Sequence, residues 1–207
     1  MIYTSYDYLV KYSDTLSEII NMAELDGYSF DYIEKVLIKS SLIKEFEQSN
    51  ITQIAFSSSM KLYRNLFPNS NASTDDIKLF SKYYWIGEMY IKLFLQYRVN
   101  FETLFLYIPI KKMHELFDVY HEMDISQFFK YFESLRTCTA FQLLLERNNI
   151  TLQSLSTKTG ISVSTLKSLK NGSRDFKNLN GYYLEIIAHY LNVEMQTLLG
   201  NITLDIL

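Results

Sequence analysis

The stretch Thr151 to Gly172, TLQSLSTKTGISVSTLKSLKNG, decides the reading of this chain. Its spacing predicts two short helices joined by a tight turn. The first runs from Leu152 to about Lys158, with Leu152 and Leu155 facing inward and the small Ser156 allowing close approach of the second. Gly160 makes the turn, because a chain reversing between packed helices needs a left-handed residue, which costs glycine no steric penalty. Ser162 is the expected N-cap of the second helix, and Val163, Leu166 and Leu169 give that helix an inward face at helical spacing. Ser164, Thr165, Lys167, Ser168 and Lys170 are left outside, and Asn171 and Gly172 end the helix.

The flanks extend the pattern. Before it, Ala140, Phe141, Leu144 and Leu145 form an apolar stripe that stops at Glu146, Arg147, Asn148 and Asn149. After it comes a polar loop, Ser173 to Lys177. Leu184, Ile187, Ala188 and Leu191 then predict a longer helix, Asn192 a break, and Leu198 and Leu199 a short closing helix. These are five helices between about residues 139 and 200. On Leu155, Ser156, Gly160, Ile161, Ser162, Leu166, Lys167, Asn171 and Gly172, with the tail from Ile187 to Leu199, the segment resembles the phage lambda repressor and Cro family of DNA-binding domains, the XRE type. It departs from the usual pattern in carrying Ser156 where many members have Ala, and Asn178 and Leu179 where many have Pro.

The resemblance implies that the outward start of the second helix lies in the major groove. Gln153 would then anchor phosphate, while Ser162, Ser164, Thr165, Lys167 and Ser168 face base edges or nearby phosphates, and Lys170 and Arg174 hold the backbone. Charge is distributed to suit. The net charge is −3, but residues 1–136 carry 14 Lys and Arg against 18 Asp and Glu, whereas residues 137–207 carry 6 against 5. Lys158, Lys167, Lys170, Arg174 and Lys177 cluster around the second helix with only Asp175 opposing them, where phosphate contacts are needed.

The fold class expected is all-α, with an N-terminal helical domain over 1–136 and a five-helix lambda-repressor-like domain over 137–207. In the first part, Leu16, Ile19, Ile20 and Ala23 predict a helix over 15–25 that Gly27 stops, and Ser29 caps a second helix carrying Tyr32, Ile33, Val36, Leu37 and Ile38. Asp31, Glu34, Glu45 and Glu47 are read as outward acids that would repel phosphate. Ile51–Phe56 is a short mixed stretch, 58–66 a helix ended by Pro68, and 69–74 a polar loop. A long helix from Asp75 to Gln96, capped by Thr74, places Ile77, Phe80, Tyr84, Ile91, Phe94 and Gly87 on one face, and Gly87 permits a close neighbour. Tyr83, Tyr84 and Trp85 give more aromatic surface than one face needs. Helices follow over 101–107, over 110–123 after Pro109, and over 125–135.

No phosphate-binding glycine loop, nucleophile elbow or HExxH occurs, so the chain is not read as an enzyme and no cofactor is implied. His114, Asp118, His121 and Glu122 share one helix face, which is the pattern of a solvated flank beside the core positions Ile110, Met113, Phe117 and Tyr120 rather than a metal site. The lone Cys138 forms no intrachain disulfide, there is no signal-peptide pattern, and the most apolar stretch, 83–97, is broken by Glu88, Lys92 and Gln96. The expectation is a cytoplasmic transcriptional regulator binding double-stranded DNA, a repressor acting as a homodimer. Its dimer contact would come from the aromatic surface of the first domain or from Ile202, Leu204, Ile206 and Leu207. The alternative is an antitoxin-like protein that masks a partner enzyme through residues 1–136 and represses its own operon.

Overall fold

The computed structural model describes residues 5–48, 56–70, 81–135 and 139–199. It is 77% helical, with thirteen α-helices and no strand among the described residues. The N-terminal helices are α1 (Ser5–Leu25), α2 (Phe30–Lys39), α3 (Ser41–Glu47), α4 (Ser59–Leu66), α5 (Ser81–Tyr97), α6 (Phe101–Tyr107), α7 (Ile110–Tyr120) and α8 (Ile125–Leu135). The C-terminal ones are α9 (Ala140–Arg147), α10 (Leu152–Thr159), α11 (Val163–Lys170), α12 (Gly181–Leu191) and α13 (Met195–Leu199), with a 3₁₀ turn at Phe176–Asn178 between α11 and α12.

Most of these helices are too short to hold alone and depend on packing. In the N-terminal body α1 and α5 form the central pair, and α4 and α7 lean on them. α1 begins well before residue 15, at Ser5, and buries Tyr12, Leu16, Ile19, Ile20, Met22 and Ala23. Gly87 is the crossing point. A Cβ there would lie 2.1 Å from Ser17 Oγ and 2.6 Å from the Ser13 carbonyl oxygen, so the close approach expected of this glycine is made by α1.

α5 is buried on more of its circumference than a single stripe. Tyr83, Trp85, Ile86, Met89, Tyr90, Ile91, Leu93 and Phe94 are all inside, whereas Tyr84, expected on the buried face, is 39% exposed. The reason is that α1, α6, α7 and α8 all reach α5: Trp85 meets Phe117 and Phe128 edge-on, and Tyr90 meets Phe105. The aromatic surplus at 83–85 is therefore core, apart from Tyr84. The expected cap Thr74, with Asp75, Asp76, Ile77 and Phe80, lies outside the described residues, as do Ile51–Ala55, Cys138 and residues 202–207.

The buried hydrophobic side chains fall into two clusters that meet at α6. Leu104 and Phe105 belong to the N-terminal cluster, while their neighbour Leu106 belongs to the cluster built from α9 to α13, and Tyr107 packs against both. Polar contacts reinforce this seam. Glu34, read from sequence as an outward acid, is fully buried. Its Oε1 accepts the Ile110 backbone N–H at 2.7 Å and its Oε2 pairs with Arg147 Nη2 at 3.0 Å. Burial holds its carboxyl above the ordinary carboxylate range, against the pull of the Ile110 N–H and the Arg147 guanidinium. Glu47, also expected outside, accepts the Phe101 N–H at 2.7 Å. The acids were misplaced because α2 and α3 are flanked by helix starts with free N–H groups, which sequence spacing alone does not reveal.

Gly87→Ala adds a methyl group where backbone already stands. It is expected to lower the urea stability of the chain by about 1–3 kcal/mol, despite the better helix propensity of alanine.

Candidate nucleic-acid interface

α10 and α11 are set by their caps. Thr151 accepts the Ser154 N–H at 3.1 Å to start α10, and Gly160 at φ +72° ends it in the left-handed conformation that the turn requires. Ser162 Oγ then accepts the Thr165 N–H at 3.2 Å and starts α11. Leu155, Ile161, Leu166 and Leu169 bury the facing sides of both helices. Val163, expected inside, is 36% exposed: it occupies the first helical position, at the rim of the core. Leu152 is half-buried rather than fully inside.

The rest of the unit fixes this pair from behind. Thr139 caps α9 and also donates its hydroxyl to the Lys170 carbonyl at 2.9 Å, tying the start of α9 to the end of α11. Gly172, at φ +69°, turns the chain, and the Arg174 N–H donates to the Ser168 carbonyl at 3.1 Å. Phe176, placed by the sequence reading in a polar loop, is buried and meets Phe141 edge-on, so this loop is anchored rather than free. Asn192, at φ +55°, breaks the chain between α12 and α13 as expected.

The predicted reading residues all lie on or beside α10, α11 and the loop that follows. Gln153, Ser162, Ser164, Lys167 and Arg174 are exposed; Thr165, Ser168 and Lys170 are half-buried. Their hydroxyls are already engaged locally. Ser162 Oγ lies 3.0 Å from both Ser164 Oγ and Thr165 Oγ1, and Ser168 Oγ donates to the Ser164 carbonyl at 3.1 Å. Ser162 thus acts first as a helix cap. Among the described residues no carboxylate pairs with Lys158, Lys167, Lys170, Arg174 or Lys177, so their charge is presented outward.

Comparison with known families agrees with this geometry. Residues 141–203 match the Cro/C1-type HTH DNA-binding domain. No curated protein and no solved structure matches the chain significantly. The Cro/C1-type match covers the C-terminal part of the chain, and it makes DNA binding the function of that part. Domains of this kind are those of DNA-binding regulators.

Among the other described residues there is no comparable constellation. His114 sits half-buried between the rings of Phe30 and Tyr83, and burial together with Lys82 pulls its imidazole below the ordinary value. His121 stacks on Phe117 and lies 3.5 Å from Glu122. Among the described residues no three His, Cys, Asp or Glu side chains are grouped to hold a metal ion, and no helix is long and apolar enough to cross a membrane.

The contacts missed in the sequence are those that position the Cro/C1-type unit on the body. Beyond Glu34 and Arg147, Glu102 accepts the Thr197 hydroxyl and the Glu194 N–H, the latter at 3.3 Å, and Asn100 Nδ2 donates to Thr197 Oγ1 at 3.2 Å. One signal was present. Glu34 lies one turn from Phe30 and from Leu37, on the apolar stripe of its own helix, where an unpaired acid would be costly.

Ser162→Ala removes the α11 cap and is expected to cost about 1 kcal/mol in denaturant titrations. Ser164→Ala, on the exposed side, is expected to stay within about 0.5 kcal/mol of the parent.

Proposed function

We propose that this chain is a sequence-specific transcription regulator of the cytoplasm that binds double-stranded DNA as a homodimer and represses transcription. The observation that carries the reading is the outward surface of α10, α11 and their loop, where Gln153, Ser164, Lys167 and Arg174 are exposed beside cations that no carboxylate among the described residues neutralises. Such a surface suits phosphates on its flanks and base edges at its centre. Residues 137–207 supply the reading unit. Residues 1–136 form the body that carries it and receives a signal or a protein partner.

In mechanism, Gln153 at the start of α10 and Arg174 in the loop hold phosphates on either side of the groove. Ser164 and Lys167 reach base edges, and Ser162 and Ser168 keep α11 rigid while they do so. The half-buried Lys170 and Thr165 add backbone contacts at closer range. One eight-residue reading helix covers a short half-site, so useful specificity requires a second copy. For that contact the C-terminal unit offers Tyr182, Tyr183, Tyr190 and Met195, all exposed. They stand in place of the aromatic surface at 83–85, which is largely buried. α12 carries no Lys or Arg, which suits it to a protein surface rather than to phosphate.

The test is fluorescence anisotropy of labelled DNA from the region upstream of the chain's own gene, over random competitor DNA. Selective binding is expected, and the Ser164→Ala, Lys167→Ala double variant should lose about 1–3 kcal/mol of it per base contact removed. Arg174→Ala should weaken binding to all sequences alike and lower the salt slope by about one. Binding by the parent chain that ignores sequence would overturn the reading.

The state of assembly is measured separately by sedimentation equilibrium. The parent is expected as a dimer and Tyr182→Glu, Tyr190→Glu as a folded monomer; a dimer unaffected by the pair would exclude this face.

A further inference from the structure

The seam between the body and the reading unit is acidic at one end. Glu47 at the end of α3, Glu102 in the first turn of α6 and Glu194 just before α13 line one small cleft together with Lys44 and Asn100. The three carboxylates come from three separate segments. Glu47 accepts the Phe101 N–H, Glu102 accepts the Thr197 hydroxyl and the Glu194 N–H, and Glu194 pairs with Lys44 Nζ at 3.4 Å. The Lys44–Glu194 pair is about half exposed on both sides, so water screens it and it neutralises the cleft only weakly.

We propose that Glu47, Glu102 and Glu194 form a proton-operated latch, which holds α13 to the body while one of the three carboxyls carries a proton and loosens it when all three are charged. Each like charge added to the cleft raises the energy of the docked arrangement and is relieved when α13 moves away. A neutral carboxyl at Glu47 or Glu102 keeps an oxygen to accept its N–H, while the Phe101 N–H at Glu47 and the Thr197 hydroxyl and Glu194 N–H at Glu102 each favour the charged form. The groups facing Glu47 are Glu194 and Glu102, which oppose its ionisation, and Lys44, which favours it. Those facing Glu102 are Glu194, which opposes, and Arg147, which favours.

Burial, more than these charges, pushes the Glu47 carboxyl up to about 7 and raises that of Glu102. When α13 moves away it takes Glu194, one of the charges that oppose ionisation of Glu47, so the docked chain holds the Glu47 proton more tightly than the undocked one. That contribution is fully present below the value of the undocked carboxyl and is lost as pH rises through about 7. Loosening falls in the neutral range, where a modest change of acidity shifts the balance. Since α13 packs in the core of the reading unit through Leu198, the latch bears on how firmly that unit is held.

Hydrogen exchange of the full chain, corrected for the intrinsic pH dependence of exchange, tests this. The segment 194–199 is followed with α5 as internal reference. Its relative protection is expected to fall roughly tenfold between about pH 5.5 and about pH 8. Glu47→Gln keeps the shape and the acceptor oxygen without the charge, and should hold protection at the acid level throughout. A parent chain with no such fall, or a Glu47→Gln chain with the same fall, overturns the proposal. Should Glu47→Gln fail to give the parent helical signal, Lys44→Gln takes its place. Removing that cation should move the fall to higher pH, and an unmoved fall overturns the latch.

Discussion

Every helix begins with backbone N–H groups that its own turns cannot satisfy, and in a molecule of many short helices this requirement shapes the packing. Serine, threonine and asparagine caps meet it at most starts, as Ser29, Ser40, Asn100, Thr139, Thr151 and Ser162 do. Three starts draw on acids from another helix. Glu34 takes the Ile110 N–H that Pro109 cannot cap, Glu47 takes that of Phe101, and Glu102 takes that of Glu194. Each acid is thereby held against the positive end of a neighbouring helix, which offsets part of its cost of burial. Two of the three also reach the reading unit, Glu34 through Arg147 and Glu102 through Thr197.

The body supplies a rigid backing for those contacts. Its rings interlock around α5 in edge-on and tilted pairs, and Tyr90 donates its hydroxyl to the Ile108 carbonyl at 2.6 Å, fixing the bend between α6 and α7. Within α6 the helical rotation turns Leu104 and Phe105 into one core and Leu106 into the other. The reading unit thus rests on a helix whose other face is locked into the body. A lone flexible tether would leave α11 free to reorient against the body, whereas this seam favours one orientation.

The C-terminal unit was legible almost throughout, because its turns demand particular residues. A left-handed residue at Gly160, a serine cap at Ser162 and a break at Asn192 can each be read from local chemistry, and each is found. The apolar periodicity of the N-terminal helices gave their existence but not their partners. Tyr84 and Val163 were misassigned because a stripe does not say how many neighbours cover it or where their cover ends. Glu34 was misread for a different reason: its partners are a backbone N–H and an arginine far along the chain, and nothing near it in sequence announces either.

α6 also has a bearing on how the molecule is made. Chains are synthesised from the N-terminus, and domains fold as units while synthesis proceeds. The helix that lends Leu106 to the second core, and the carboxylate that receives Arg147, exist before the first residue of α9 has been added. The reading unit therefore completes its core against a surface already in place, and the earlier part of the chain acts as the template on which the later part is assembled.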